Sequence, residues 1–351
     1  MPGFDDIIGQ PLPIRLLQLF IRKAMVPHAL LFSGIEGIGK KSAAKLFAQA
    51  LNCESANTAA GEPGKNGMPL PCGRCRACRQ ISDGSHPDII TVMPRKGMLR
   101  IDQIRELNNS LALKPFSAAH RVAVVADAHT MNPEAGNALL KMLEEPPGGT
   151  ILILTAPQPT DLLPTIASRC RHIRFNPLGA HDLSLLLMKK MRTMRAEQAE
   201  TIADLADGSC TRALRLAETG WREQRDWVVR AAGLDRPIDA KQRSAALAMA
   251  FAAQLALRKD HVGTDLEILK TWIRDLSIWP YQPRMVVNRD RRDALASVRA
   301  GIDGRQLTSL WETVEKAQRA IAANGNMRLT LDVMALHMDD IFARRQAKRT
   351  V

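Results

Sequence analysis

The segment GIEGIGKKS at residues 34–42 constrains this chain more than any other feature. It follows the apolar run HALLFSG at residues 28–34, which is typical of a buried strand, and leads into a helical pattern that continues to Asn52. Glycines in such a loop let backbone N–H groups turn towards an anion, so this context is typical of a phosphate-binding loop. The candidate phosphate-binding residues are Gly34, Gly37, Gly39 and Lys40.

The apolar runs that follow predict an α/β domain with a parallel sheet. Continuous apolar strands separated by helical patterns are typical of a sheet that is covered on both faces. The further strands are expected at residues 88–93, 121–127, 150–156 and 171–175, with helices at 101–113 and 137–145. Beyond Pro177 the strand signal disappears. A chain of 351 residues with 46% hydrophobic residues is expected to form two or three globular domains.

The phosphate loop departs from a working ATPase at the position after its lysine. A Ser or Thr hydroxyl is needed there to bind magnesium, but the residue is Lys41, whose ammonium group has no acceptor and repels the ion. Ser42 is one residue late, which turns it by about 100° around the helix. Asp127 fits the acidic residue that supports magnesium, whereas Ala128 stands where a glutamate would activate water. We therefore expect no ATP hydrolysis, while binding of ATP or ADP stays open.

Four cysteines form the pattern C-x18-C-x2-C-x2-C: Cys53, Cys72, Cys75 and Cys78. The C-x2-C spacing lets two thiolates approach one ion from a single turn, and four thiolates complete a closed tetrahedral zinc site. Such a site is structural, because it leaves no open position for water. The alternative is a set of free thiols in a loop. Cys170 and Cys210 lack this spacing, and we expect them to be buried thiols.

Two further segments resemble the clamp-loader branch of the AAA+ ATPases. One is NALLKMLEEPPGGT at residues 137–150, and the other is PTIASRCRHIRF at residues 164–175. Within the second, Ser168-Arg169-Cys170 looks like the arginine-finger motif; the alternative for Arg169 is a surface ion pair.

The resemblance extends into the C-terminal half of the chain. GSCTRALRL at residues 208–216 is similar to the second-sensor helix, with Arg212 as the sensor arginine. TWIRDLSIW at residues 271–279 and Asn288-Arg289-Asp290 resemble the helical collar of a clamp-loader subunit.

This resemblance implies three domains. They are an AAA+ nucleotide-binding-like domain at 1–176 with a zinc module at 53–78, a helical lid at 177–218, and an all-α collar for oligomerisation at 219–351.

The family also implies partners and a division of labour. A hetero-pentamer with delta and gamma/tau subunits would load a sliding clamp on primer–template DNA, as an accessory part of a DNA polymerase III holoenzyme and hence of a nucleotidyltransferase complex. This chain would supply Arg169 in trans to a neighbouring ATPase subunit while hydrolysing nothing itself.

Two other functions remain open. The chain could be an active clamp-loader ATPase of the gamma/tau type, or a zinc-containing DNA-binding module, and its net charge of +13 makes an acidic partner plausible. We expect a cytoplasmic location, because no signal-peptide pattern is evident and no stretch approaches 18 apolar residues.

Overall fold

The computed structural model describes residues 3–4, 7–55, 70–218, 220–237, 244–323 and 325–347, without the side chains of 343–347. Residues 56–69, which belong to the expected zinc module, lie outside the described residues.

A five-stranded parallel sheet forms the centre of the N-terminal region. Its strands are β1 (Ala29–Ser33), β2 (Ile89–Val92), β3 (Arg121–Val125), β4 (Thr150–Ala156) and β5 (Arg171–Arg174). They are arranged in the order β2-β3-β4-β1-β5, so the strand that precedes the phosphate loop lies between β4 and β5. Every residue of β1, β3 and β4 is buried, as expected for strands that are covered on both faces.

Six helices accompany the sheet. They are α1 (Pro11–Arg22), α2 (Lys40–Asn52), α3 (Arg76–Asp83), α4 (Ile101–Ala112), α5 (Pro133–Glu144) and α6 (Pro164–Ala167). Prolines near the starts of α1, α5 and α6 fit the first helical turn, where an N–H group has no partner within the helix. Helices α1 and α3 were not predicted. The observed ends of the predicted strands and of α2 and α4 lie within about two residues of the expected ones. Helix α5 begins four residues earlier than predicted.

The remainder of the described chain is helical. Its helices are α7 (Ala180–Lys190), α8 (Ala196–Leu205), α9 (Cys210–Glu218), α10 (Trp221–Ala231), α11 (Ala245–Leu257), α12 (Val262–Ile278), α13 (Arg292–Arg299), α14 (Gly304–Ala322) and α15 (Met327–Ala347). Short 3₁₀ turns at Pro283–Met285 and Arg289–Arg291 and a loop before Gly304 separate the later helices.

The chain divides into two compact units. The first consists of Met1–Arg192 and Ala206–Ala213, and the second of Thr193–Leu205 and Leu214–Val351. The lid expected at 177–218 is therefore shared between both units. Its assignment as a lid, and that of 219–351 as a collar, stay predictions.

A buried polar network holds the loop around Asn288 in the second unit. Asp275 is fully buried and accepts hydrogen bonds from the backbone N–H groups of Val287 and Asn288, at 3.0 and 2.8 Å. Arg225 is also buried, and its guanidinium group binds the carboxylate of Asp290 at 2.7 and 2.8 Å. Two of the three residues that resemble a collar motif, Asn288 and Asp290, thus hold this loop in place.

The predicted fold class is confirmed as far as its architecture is concerned: a parallel α/β sheet with a phosphate loop precedes a helical C-terminal region. Among the described residues, no helix is sufficiently long and apolar to cross a membrane.

Candidate functional site

The phosphate loop has the backbone conformation that its glycines predict. Gly34, Gly37 and Gly39 all have positive φ angles, of 138°, 80° and 98°. A Cβ atom on Gly34 would lie 2.5 Å from the carbonyl oxygen of Phe175, and one on Gly37 would lie 2.8 Å from Cβ of Thr211. Only glycine fits these two positions, because other residues would combine backbone strain with a steric clash.

The loop lysine points back into its own loop. Lys40 is only 6% exposed, and its ammonium group donates to the carbonyl oxygens of Gly34 and Ile35, the latter at 2.9 Å. Burial lowers the pKa of Lys40 below its ordinary value, against the opposing effect of the carboxylates of Asp127 and Glu36. The cation that would bind a phosphate is thus already bound to backbone oxygens.

Lys41 occupies the place where a magnesium ligand would be needed. Its Nζ lies 2.8 Å from Oδ2 of Asp127, the residue expected to support the ion. Ala128 is 1% exposed in a short 3₁₀ turn after Asp127. Magnesium does not fit this set of residues, because the remaining carboxylate is paired with an ammonium group and no hydroxyl stands at the Lys41 position.

The start of α9 lies against the phosphate loop. The backbone N–H groups of Cys210 and Thr211 donate to the carbonyl oxygen of Gly37, at 2.9 and 3.3 Å. Arg212, the expected sensor arginine, follows at once, and its backbone N–H donates to Oγ of Ser209 at 3.3 Å. The structure therefore places the first turn of α9 against the loop, while the role of Arg212 as a sensor stays a prediction.

The four cysteines converge on one point. Their sulfur atoms all lie within 4.8 Å of one another, with Cys53 and Cys78 buried and Cys72 and Cys75 partly exposed. Backbone N–H groups of the later three cysteines donate to sulfur atoms of the cluster at 3.3 to 3.4 Å. Tetrahedral thiolate ligands 2.3 Å from a zinc ion are about 3.8 Å apart, so small adjustments suffice for metal binding.

The electrostatics of the cluster are compatible with a bound cation. Burial alone would raise the pKa of Cys72, but hydrogen bonds from Ser55 and from backbone N–H groups outweigh this effect and lower it to about 6. Burial raises the pKa of Cys78 well above its usual range. Several thiols confined in one place are expected to lose their protons when a metal ion binds.

Arg169 lies in the connection between α6 and β5. Its side chain is 38% exposed, and one guanidinium nitrogen lies 2.8 Å from a carboxylate oxygen of Glu144. A second guanidinium nitrogen donates to the carbonyl oxygen of Thr165 at 3.0 Å. Burial raises the pKa of the neighbouring Cys170 thiol to about 12, so it stays protonated at neutral pH.

The structure thus gathers most of the predicted site residues into two groups, one at the phosphate loop and one at the cysteines. Lys40, Asp127 and the start of α9 surround the phosphate loop, and the cysteines form their own cluster. The surface ion pair named as the alternative for Arg169 is present, with Glu144 as the partner. That partner and the ion pair of Lys41 were not foreseen, because no spacing rule connects residues on different elements.

Comparisons with known proteins agree with the resemblance. Residues 9–179 match the family model described as "DNA polymerase III, delta subunit". Subunit delta' of DNA polymerase III from Pseudomonas aeruginosa is 37% identical over 209 residues, 59% of this chain and 61% of that protein. Subunit tau from Bacillus subtilis is 34% identical over 219 residues, 61% of this chain and 37% of that protein.

A gamma subunit-related protein from Thermotoga maritima has a solved structure with 17% identity and a TM-score of 0.42, covering 94% of this chain and 99% of that one. A likeness this distant adds nothing about function. The chain spans between about a third and three-fifths of the length of the curated relatives named above. Residues 9–179 are thus similar to clamp-loader subunits of DNA polymerase III.

Proposed function

We propose that this chain is a non-motor subunit of the DNA polymerase III clamp loader, of the delta-prime type. In this role it supplies Arg169 to the nucleotide site of a neighbouring gamma/tau subunit. Its partners are delta and gamma/tau subunits in a hetero-pentamer, and through that complex the sliding clamp and primer–template DNA. One contrast carries the proposal. The lysines of the phosphate loop are already bound within the chain, Lys40 to loop carbonyl oxygens and Lys41 to Asp127, whereas Arg169 of the same unit is partly exposed.

The state of the phosphate loop supports a chain that does not hydrolyse ATP. Lys40 binds loop carbonyl oxygens, Lys41 is paired with Asp127, and Ala128 has no group that could activate water. Phosphoryl transfer depends on a cation that neutralises developing charge and on a group that orients the nucleophile. Both functions lack a suitable side chain here.

The position of Arg169 supports a role in trans. A guanidinium group is permanently charged and has a rigid set of donors, which suits the equatorial oxygens of a transferring phosphoryl group. The side chain is partly exposed and lies in a connection beside the edge strand β5. An arginine finger needs such a place, because it must reach a site on another subunit.

The cysteine cluster supports a structural zinc ion bound by Cys53, Cys72, Cys75 and Cys78. A bound zinc ion would cross-link the end of α2 to the turn before α3. With four thiolate ligands it has no open position for a substrate, so no step of a reaction is assigned to it.

An exposed apolar surface on α15 of the second unit supports a role of this unit in assembly. A groove of about 580 Å³ lies between α14 and α15, and Leu329 and Val333 on its rim are 62% and 45% exposed. These two side chains are four residues apart and so share one face of α15. Replacing both with glutamate is expected to weaken assembly without unfolding the chain, as measured by analytical ultracentrifugation of the reconstituted complex.

The decisive experiment is Arg169→Ala in a complex reconstituted with delta and gamma/tau. We expect normal assembly and a fall of about tenfold or more in the DNA- and clamp-stimulated ATPase rate, because arginine fingers contribute large factors to phosphoryl transfer. Arg174→Ala, an exposed arginine on β5, is the matched control and is expected to have a smaller effect. Clamp loading at the wild-type rate by the Arg169→Ala complex would refute the proposal.

Two alternatives are tested with the isolated chain. An active gamma/tau-type ATPase would hydrolyse ATP steadily and lose this activity in Lys40→Ala. A zinc-containing DNA-binding module would bind duplex DNA without any partner and retard it in an electrophoretic mobility-shift assay. Its affinity would fall steeply as the salt concentration rises.

A further inference from the structure

We infer that Glu144 is a positioning residue for Arg169: it holds the guanidinium group in the orientation in which it meets a neighbouring nucleotide. This inference rests on the proposed function. It assigns to the last residue of α5 a role in the chemistry of another subunit.

Two elements hold the guanidinium group of Arg169 at two of its nitrogen atoms. Glu144, at the end of α5, accepts from one nitrogen at 2.8 Å, and the carbonyl oxygen of Thr165 in α6 accepts from another at 3.0 Å. The backbone N–H of Arg169 also donates to the carbonyl oxygen of Ile166 at 3.2 Å. A long flexible side chain is thereby restricted near its charged end.

Helices α5 and α6 are held together by close contact, so the ion pair joins two elements of fixed relative position. A Cβ atom on Gly136 of α5 would lie only 2.9 Å from a methyl group of Leu163 and 3.7 Å from one of Ile166. Ile166 is completely buried, and Gly136 is buried as well. The absence of a side chain at Gly136 allows this approach, and the backbone of α5, which carries Glu144 at its end, is thereby held against α6.

The stability of α5 does not explain an acidic residue at position 144. The C-terminal end of a helix carries partial negative charge, and a carboxylate there is unfavourable unless a cation compensates it. Glu144 is the last residue of the helix, and Arg169 supplies the compensating charge from another element. Because both side chains are substantially exposed, at 52% and 38%, the pair contributes little to folding.

The contribution expected from Glu144 is preorganisation. An arginine that is already restricted loses less conformational entropy when it engages the transition state, so the rate constant benefits while ground-state nucleotide binding does not. Glu144→Ala is therefore expected to lower kcat of the reconstituted complex by about three- to tenfold at unchanged KM for ATP. Glu144→Gln retains an acceptor oxygen without the charge, and its kcat should be intermediate.

The test compares Glu144→Ala with Glu145→Ala, the adjacent exposed glutamate, in complexes reconstituted with delta and gamma/tau. Glu145→Ala should have wild-type kcat. All single variants should assemble normally and unfold within about 2 °C of the wild type, because exposed side chains are replaced. In the double variant Glu144→Ala/Arg169→Ala, the rate should equal that of Arg169→Ala alone, because Glu144 acts only through the arginine.

The outcomes separate the inference from the proposed function. If Arg169→Ala slows the complex but Glu144→Ala does not, the positioning role is wrong and the arginine finger stands. A double variant slower than Arg169→Ala, or a Glu144→Ala chain that fails to assemble, also overturns the positioning role. If Arg169→Ala has no effect, the proposed function fails and the inference falls with it.

Discussion

Helix α2 begins at the phosphate loop and ends at the cysteine cluster, and the two sites differ in how completely their functional groups are present. At the first end, the glycines retain their conformation, whereas Lys41 and Ala128 replace the groups needed for chemistry. At the other end, all four cysteines lie close enough to share one metal ion. Groups with a structural role are therefore present at both ends of α2, whereas two groups that the proposed function does not need, a hydroxyl at position 41 and a carboxylate at position 128, are replaced at the first end.

The difference follows from what each site requires. A closed metal site needs only its own ligands, which here lie on short segments around the end of α2. A site that hydrolyses a nucleotide needs a magnesium ligand at the start of α2, an acidic residue after β3 and an arginine from a neighbouring subunit at the same time. Under the proposed function, one lysine at position 41 is enough to prevent hydrolysis, because it pairs with the carboxylate that would support magnesium.

The largest expected effect is at the cysteine end. Cys75→Ser should abolish stoichiometric zinc binding and destabilise the first unit by several kcal/mol, on the order of 3 or more, because structural zinc contributes directly to folding. Metal analysis and thermal unfolding measure both quantities. Cys210→Ser, outside the cluster, is the control and should retain one zinc ion per chain. Wild-type protein that contains no metal when prepared reduced and without chelator would contradict the assignment.

A smaller effect is expected when the loop lysine is removed. Lys40→Met leaves the carbonyl oxygens of Gly34 and Ile35 without their donor, so the free chain should lose about 1–3 kcal/mol of stability. Differential scanning calorimetry without nucleotide measures this loss. Lys141→Met, an exposed lysine on α5, should be nearly neutral. Equal losses in the two variants would show that Lys40 is not a structural group.

Lys41→Thr should change folding stability by less than about 1 kcal/mol, because the pair with Asp127 is partly exposed to solvent. It should nevertheless create magnesium-dependent binding of ADP, which titration calorimetry with and without magnesium detects, and no turnover. Adding Ala128→Glu is not expected to help. Ala128 is buried, so a glutamate there would require rearrangement or a costly buried charge. Magnesium-dependent binding by the wild type would contradict the role assigned to Lys41.

The smallest effect is expected at Ser42, whose hydroxyl is one residue away from the magnesium-ligand position and whose side chain is exposed. Ser42→Ala should alter stability by less than about 0.5 kcal/mol and leave nucleotide binding unchanged. A loss of nucleotide affinity in this variant would mean that the loop has shifted its metal ligand by one residue.

Much of the sheet domain was predictable because its signals are local. The strand at residues 150–156 was predicted with its observed bounds, since seven consecutive buried residues leave a continuous apolar run. Helix α3 was missed because a short helix rich in charged residues lies among the cysteines. The grouping of residues 193–205 with the later helices could not be foreseen, because it depends on contacts between distant parts of the chain.

By itself the sequence determined the phosphate loop, the alternation of strands and helices, the four metal-ligand candidates and the missing catalytic groups, because each depends on residue type at short spacing. Tertiary structure alone decided that Lys40 binds its own loop, that Lys41 is paired with Asp127 across 86 residues, and that Glu144 holds Arg169. Those pairings depend on how the ends of different strands and helices meet at the surface of one sheet, and no local pattern encodes that geometry.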